Sequence, residues 1–302
     1  MPVRLKERLK KAFPGAYARW LAHRRHPLRA QISRILASAG PAVYLDSDEE
    51  FDALQNSFPP YPDYGYDAYS CYRRGVERSL ALFNCLPGFR SPGAAVLEIG
   101  CADAMVGAAL ALYGHTVTLV DLQDRRDNRA KGLAFLQVDV CEGIPLKESS
   151  FDAIYSYNTL EHIADPRKTL RECVRLCKPG GRIYFEFGPL YASAWGLHAY
   201  NTLRIPYAQF LFSLHFIEQK LNILGINDLG EKRAALQPMN QWRLQQFTQL
   251  WQESGCVVES VRQYDELRFL DMIRRFPGAF AGRGLTYEDV TRQSLFVLLR
   301  KP

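Results

Sequence analysis

Ala95-Val-Leu-Glu-Ile-Gly-Cys-Ala-Asp-Ala104, continued by Met105-Val-Gly-Ala-Ala-Leu-Ala-Leu-Tyr113 and by Val117-Thr-Leu-Val-Asp121, reads as strand, tight turn, helix and strand. Val96, Leu97 and Ile99 form a short apolar run suited to a strand covered on both faces. Gly100 permits a turn that a side chain would resist. The Ala/Leu-rich stretch is long enough for a crossover helix, and Gly114 stops it at the usual left-handed position. His115 to Val120 returns as a β-branched strand that ends on Asp121. The unit is βαβ, with an acid roughly 20 residues after the turn glycine.

Such a unit binds a nucleoside. Free N–H groups at the helix start attract an anion, and an acid at the tip of the second strand can hold both ribose hydroxyls. The loop between them selects the nucleoside. A dinucleotide site wants G-x-G-x-x-G, because its second glycine lets backbone approach a pyrophosphate. Here Gly100 is followed by Ala102 and Ala104, so a methyl group stands where the pyrophosphate would go. A cofactor with a carboxylate and no phosphate fits better, and S-adenosyl-L-methionine is one. Glu98 suits an ammonium and a sulfonium better than it suits phosphates.

Glu98-Ile-Gly100-Cys-Ala-Asp-Ala104 resembles the first motif of the class I S-adenosylmethionine-dependent methyltransferases, an acid followed by Gly-x-Gly-x-Gly, with alanine at the second and third glycines. Three later stretches resemble the same family in order: Val138-Asp139, then Ser149-Ser-Phe-Asp152 through Asn158-Thr-Leu-Glu-His162, then Leu176-Cys-Lys-Pro179-Gly-Gly181 through Phe185. The resemblance covers residues 70–190 and implies a Rossmann-like, doubly wound α/β fold. Its seven-stranded sheet is mostly parallel, with an antiparallel last strand. It places cofactor contacts at Glu98, Gly100, Ala102, Asp121, Leu122, Asp139, Val140 and Asn158, and at Arg74 from the helix before the first strand.

Around this core (93–190) the sequence suggests a basic helical extension and linker over 1–60, an acceptor-side helical insertion over 188–239, and a C-terminal helix with strands over 240–302. Residues 61–302 then form the methyltransferase domain. The first 35 residues carry ten Lys/Arg against Glu7 alone, although the whole chain has a net charge of only +6. Leu5, Leu9, Phe13, Tyr17, Trp20 and Leu21 recur there at helical intervals, interrupted by Pro14-Gly15. Such a segment can pack on its own domain, lie on an anionic membrane or contact nucleic acid, and nucleic acid is the least favoured of the three. Asp46 to Glu50 is a solvated acidic face or a helix start. Helices are expected over 66–82, 158–176 (broken near Asp165-Pro166), 207–224 and 240–253, and strands over 256–264 and 294–300.

The 302 residues can bury a full core, and no apolar run approaches the length needed to cross a bilayer. No apolar h-region marks a signal peptide. The seven cysteines are scattered without Cys-x-x-Cys and read as free thiols of a reducing cytoplasm. Cys173 and Cys177 share a helix face on this reading but lack a histidine partner, and nothing resembles a metal-binding motif.

A hydroxyl acceptor needs its proton removed, and two histidines are candidates for that work. His198 lies in the aromatic insertion, in Trp195-Gly-Leu-His-Ala-Tyr200, and His162 follows the fourth strand, where open parallel sheets bind ligands. His162 equally suits a bracing role in its loop. The Asn-Pro-Pro-Tyr signature of amino-group methylation of nucleic acid is absent, since the fourth strand ends Tyr157-Asn-Thr-Leu. The resemblance points to O-methylation of a small molecule or a cell-surface glycan or lipid precursor. A nicotinamide-dependent oxidoreductase and a catalytically silent binding module are the competing readings.

Overall fold

Among the described residues three helices precede the sheet. α1 (Arg29–Leu36) buries Ile32 and Leu36, and α2 (Asp48–Ser57) buries Phe51 and Leu54. Ser47 starts α2 by accepting the Glu50 N–H, so the acidic run is a helix start, its carboxylates at the positive end of the helix dipole. α3 (Ala68–Cys85) is capped by Asp67, whose Oδ1 accepts from the N–H groups of Tyr69 and Ser70. The computed structural model describes residues 27–60, 65–86, 88–228 and 231–302. Most of the basic segment 1–35 therefore lies outside the described residues.

The sheet then assembles in the expected sequence: β1 (Ala95–Ile99), α4 (Met105–Leu112), β2 (Thr116–Asp121), β3 (Ala134–Gln137), β4 (Phe151–Tyr157), α5 (Pro166–Leu176) and β5 (Cys177–Phe187). Two short helices follow, α6 (Ala208–Leu211) and α7 (Leu214–Leu224), then a small hairpin of β6 (Ile226–Asp228) and β7 (Glu231–Arg233). The chain closes with α8 (Leu244–Glu253), β8 (Val257–Asp265), α9 (Leu270–Arg275), α10 (Pro277–Phe280), α11 (Tyr287–Thr291) and β9 (Arg292–Arg300).

Strand order is β3-β2-β1-β4-β5-β9-β8. β1 to β5 run parallel, and β9 runs antiparallel between β5 and β8. This is the doubly wound sheet with an antiparallel last strand that the sequence implies. Because successive side chains alternate faces, Val96 and Tyr155 bury on one side with α3 and α4, while Leu97, Ile99 and Ile154 bury on the other with α5 and α8. Gly75 lets α3 cross α4 at contact distance, since a Cβ there would lie 2.5 Å from the Met105 carbonyl oxygen.

A third core sits outside the sheet. It joins Ile32, Leu36, Phe51 and Leu54 of α1 and α2 to Trp195, Tyr207 and Phe212 of the insertion and to Ile273 and Phe280 of α9 and α10. Backbone and side-chain bonds tie the same pieces: Leu45 N–H to the Leu211 carbonyl at 2.8 Å, Gln55 Nε2 to the Thr202 carbonyl at 2.7 Å, and Arg204 N–H to Gln55 Oε1 at 2.9 Å. Residues 36–58, part of the stretch 1–60 expected to be extension and linker, are thus structural partners of the insertion.

Four boundaries differ from the sequence reading for local reasons. Residues 158–165 form turns, and α5 begins only at Pro166, where Asp165 caps and proline fits the first helical position. The segment 207–224 divides at Phe212, because Ser213 caps a new helix by accepting the Phe216 N–H. Asn240 does not cap α8; its Nδ2 donates to the carbonyls of Leu160 and Ile163. Cys177 opens β5, so Cys173 and Cys177 share no helix face. Among the described residues no helix is long and apolar enough to cross a membrane.

Candidate active site

The carboxyl ends of β1, β2, β3 and β4 converge on the loop 100–104. Gly100, Ala102 and Ala104 all take left-handed backbone conformations, with φ of +69°, +46° and +57°. The two alanines therefore adopt the glycine-like shape of the motif despite their methyl groups, a strain of order 1 kcal/mol or more each. Only glycine fits at position 100: an added Cβ would lie 2.2 Å from Thr159 Oγ1. The Ala102 methyl stands exposed on the loop.

Asp121, at the tip of β2, secures this loop. Its Oδ2 accepts the Ala102 N–H at 2.9 Å and its Oδ1 accepts the Gln123 N–H at 3.2 Å. Beside it Leu122 is 63% exposed, an apolar side chain standing free next to an acid. Asp139 lies just past β3, exposed, with Oδ1 accepting the Cys141 N–H at 2.8 Å. Val140 turns the other way, into the core, so its side chain is not on the ligand side. Asn158 ends β4 in a left-handed conformation, exposed, its N–H donating to the Glu186 carbonyl at 2.7 Å.

Two further sequence candidates take different positions. Arg74 reaches from α3 to Asp103 Oδ2 at 3.4 Å and to the Gly65 carbonyl, which joins α3 to the loop after β1. Glu98 is only 3% exposed, and its Oε2 accepts from the Tyr155 hydroxyl at 2.8 Å and from the Gly107 N–H at 3.1 Å. Burial pushes its carboxyl up to about 8. It braces the first turn of α4 from inside rather than standing beside a ligand, as the sequence reading had placed it.

At the end of β4 a second group of residues gathers. Glu161 is buried, one oxygen accepting the Gly188 N–H at 2.9 Å, and desolvation pushes its carboxyl up to about 8. His162, half-buried, has Nδ1 2.9 Å from the Pro238 carbonyl oxygen. His198, 6% exposed with φ +54°, has Nε2 2.8 Å from the Pro189 carbonyl oxygen. The two imidazoles meet edge to face at 4.8 Å between centroids. Burial holds both below the usual histidine range, His198 at about 3, so both are neutral at pH 7. The sequence reading singled out both histidines but gave Glu161 no role and saw no possible metal ligand set. The three come together only because the insertion folds back over β4, which no local spacing records.

A larger hollow of about 520 Å³ opens between residues 88–94, Asp152 and 178–182. It lies at the amino ends of the strands, the opposite end from the loops just described, so the site is assigned by its chemistry and not by cavity size.

Residues 97–185 match the family model described as a methyltransferase domain. Over those residues, from β1 to β5, the chain is similar to a methyltransferase domain. Curated relatives include "Ubiquinone biosynthesis O-methyltransferase" of Xanthomonas oryzae pv. oryzae, 36% identical over 102 residues, and that of Coxiella burnetii, 35% identical over 101 residues. Each match covers 31% of this chain and 43% of the relative, so the chain spans less than half the length of the relatives it matches. Among solved structures, an S-adenosylmethionine dependent methyltransferase from Mesorhizobium loti aligns with 74% of this chain and 96% of its own, at 17% identity and a TM-score of 0.47.

The methyltransferase domain's cofactor is S-adenosylmethionine, and the exposed residues fit it. At the strand tips stand the carboxylates of Asp121 and Asp139 and the exposed apolar side chain of Leu122, groups of the kind that bind a diol, an amine and an aromatic face.

Proposed function

We propose that this chain is an S-adenosylmethionine-dependent methyltransferase acting on a hydroxyl of a small molecule, or of a glycan or lipid precursor. The observation that carries this reading is the clamp of Asp121 on a left-handed loop with a methyl group on its outer side. That arrangement favours a nucleoside without a diphosphate and weighs against a nicotinamide cofactor. The name O-methyltransferase borne by the matched relatives supports oxygen as the acceptor atom.

Asp121 would hold the ribose hydroxyls, Asp139 the adenine amine and Leu122 the adenine face. Gly100 and Ala102 would border the cofactor, and Asn158 and Arg74 would bound its amino-acid end. Glu98 acts one layer behind, holding the start of α4 so that the loop keeps its shape. Bound there, the cofactor supplies a methyl group already activated on a sulfonium. The protein's main task is alignment of the acceptor oxygen with that carbon, about 3 Å away. Removal of the acceptor proton adds roughly 10²- to 10⁴-fold. His162 is the better placed of the two neutral imidazoles for it, being half-buried where His198 is enclosed. The basic segment 1–35 would bring the chain to anionic membrane from the cytoplasm, where lipid-linked acceptors lie.

Tryptophan-fluorescence titration with S-adenosylhomocysteine and with NAD tests the cofactor, and methyl-labelled cofactor with a cell-envelope extract tests transfer. Binding of the first nucleoside and label in the extract are expected. Binding of NAD alone would overturn the cofactor assignment. Saturation with no label transferred would leave the silent binding module.

A further inference from the structure

Glu161 is a buried carboxylate with half its capacity unused. The residue is 1% exposed, and while Oε1 accepts the Gly188 N–H, Oε2 is buried with no hydrogen-bond partner. A buried carboxylate oxygen stripped of water and left without a donor is unfavourable, so a cation or a proton belongs there. Two imidazoles stand beside it: one ligand atom from each of Glu161, His162 and His198 lies within 4.8 Å of the others.

A backbone carbonyl sets the tautomer of each ring. The Pro189 carbonyl fixes His198 Nε2 as a donor, and the Pro238 carbonyl fixes His162 Nδ1 as one. The lone pairs therefore sit on His198 Nδ1 and His162 Nε2. A carbonyl behind each imidazole is the outer support that orients metal-bound histidine. On the His162 side the Gln237 amide, with its nitrogen toward the ring, donates to Nε2 at 2.9 Å. That contact occupies the lone pair and is the one an ion would displace.

We propose that Glu161, His162 and His198 are the three protein ligands of a divalent transition-metal site, with its open position on the His162 side. Two imidazoles and one carboxylate suit zinc and its near neighbours. Bonds of about 2.0–2.2 Å draw the ligand atoms inward by side-chain rotation, without moving β4. Whether the open position takes an acceptor oxygen, its proton then passing to solvent because a ligating His162 no longer accepts it, rests on the methyl-transfer reading; the site itself does not.

The test is a cobalt(II) titration of the full chain after treatment with a chelator, followed by visible absorption and by competition with zinc. One equivalent should bind with the absorption of nitrogen and oxygen ligands. His162→Gln, a change at a half-buried position, should weaken it by on the order of 100-fold, as should Glu161→Gln where that variant folds. Seven cysteines compete for the ion. A thiolate-to-cobalt charge-transfer band overturns the site, as does unchanged affinity in His162→Gln or no saturable binding below millimolar cobalt. Nucleoside binding measured alongside separates the two readings: cofactor bound without cobalt sinks the metal site alone, and cobalt bound without cofactor sinks the methyltransferase reading alone.

Discussion

The loop 100–104 and the cluster at residues 161, 162 and 198 lie at the same end of one sheet, yet they are built on opposite plans. The first is contiguous and partly exposed: Gly100, Ala102 and Ala104 follow one another, and Asp121 reaches them with one hydrogen bond. The second is buried and assembled from a turn after β4 and an insertion that returns to it. A contiguous loop is shaped by backbone geometry and adapts poorly to change. A cluster assembled at a distance depends on packing, and its chemistry changes with the insertion while the sheet stays the same.

The sharpest way to break that contrast is Gly100→Ala. Its Cβ would meet Thr159 at 2.2 Å in a left-handed conformation, so urea unfolding should show a loss of about 2–4 kcal/mol. Thr159→Gly in the same chain should restore part of it. No recovery would show that backbone strain, and not the contact, makes the loop rigid.

Asp121→Ala comes next. It removes the carboxylate proposed to hold the ribose together with the bonds that fix Ala102 and Gln123, and calorimetry should record weaker S-adenosylhomocysteine binding by about 1–3 kcal/mol. An unchanged dissociation constant would place the nucleoside elsewhere.

Glu98 links the loop to the interior, and its effect is on pH dependence. Its carboxyl is raised to about 8 in the fold, from an ordinary value near 4.5, so the folded state binds more protons than the unfolded chain between those values. This stabilisation is complete below about 4.5 and is lost as pH rises toward 8, with a slope of at most about 1.4 kcal/mol per pH unit. Denaturant midpoints from pH 5 to 8 should fall less steeply for Glu98→Gln than for the parent. Parallel slopes would mean the group titrates alike in both states. The smallest effect belongs to Ala102→Gly, where relief of an exposed left-handed alanine should raise stability by about 0.5–1 kcal/mol in thermal unfolding.

The same contrast governs what could be read from residues alone. The strands follow from apolar runs and single glycines, each a local signal, while their parallel order and the acid after the third strand come with the resemblance of the motifs taken in order. Val140 and Glu98 are instructive exceptions. The facing of a side chain at a strand end is set by neighbours such as Tyr155, which lies far along the chain. Nothing in Gln55 announces Thr202 and Arg204, nor does His198 announce His162, because these contacts join segments that share no periodicity. Helix ends were missed where a single polar residue decided them, as Ser213 and Asp165 do.

The position of β9 bears on how the chain is made. β8 touches the sheet only through β9, which follows it by more than two dozen residues along the chain. During synthesis β8 therefore leaves the ribosome with no strand to join, and it waits until residues 292–300 emerge to bridge it to β5. Glu259, Ser260, Arg262 and Gln263 are interspersed there with Val257, Val258, Val261 and Tyr264, and the strand stays solvent-facing even when the sheet is complete.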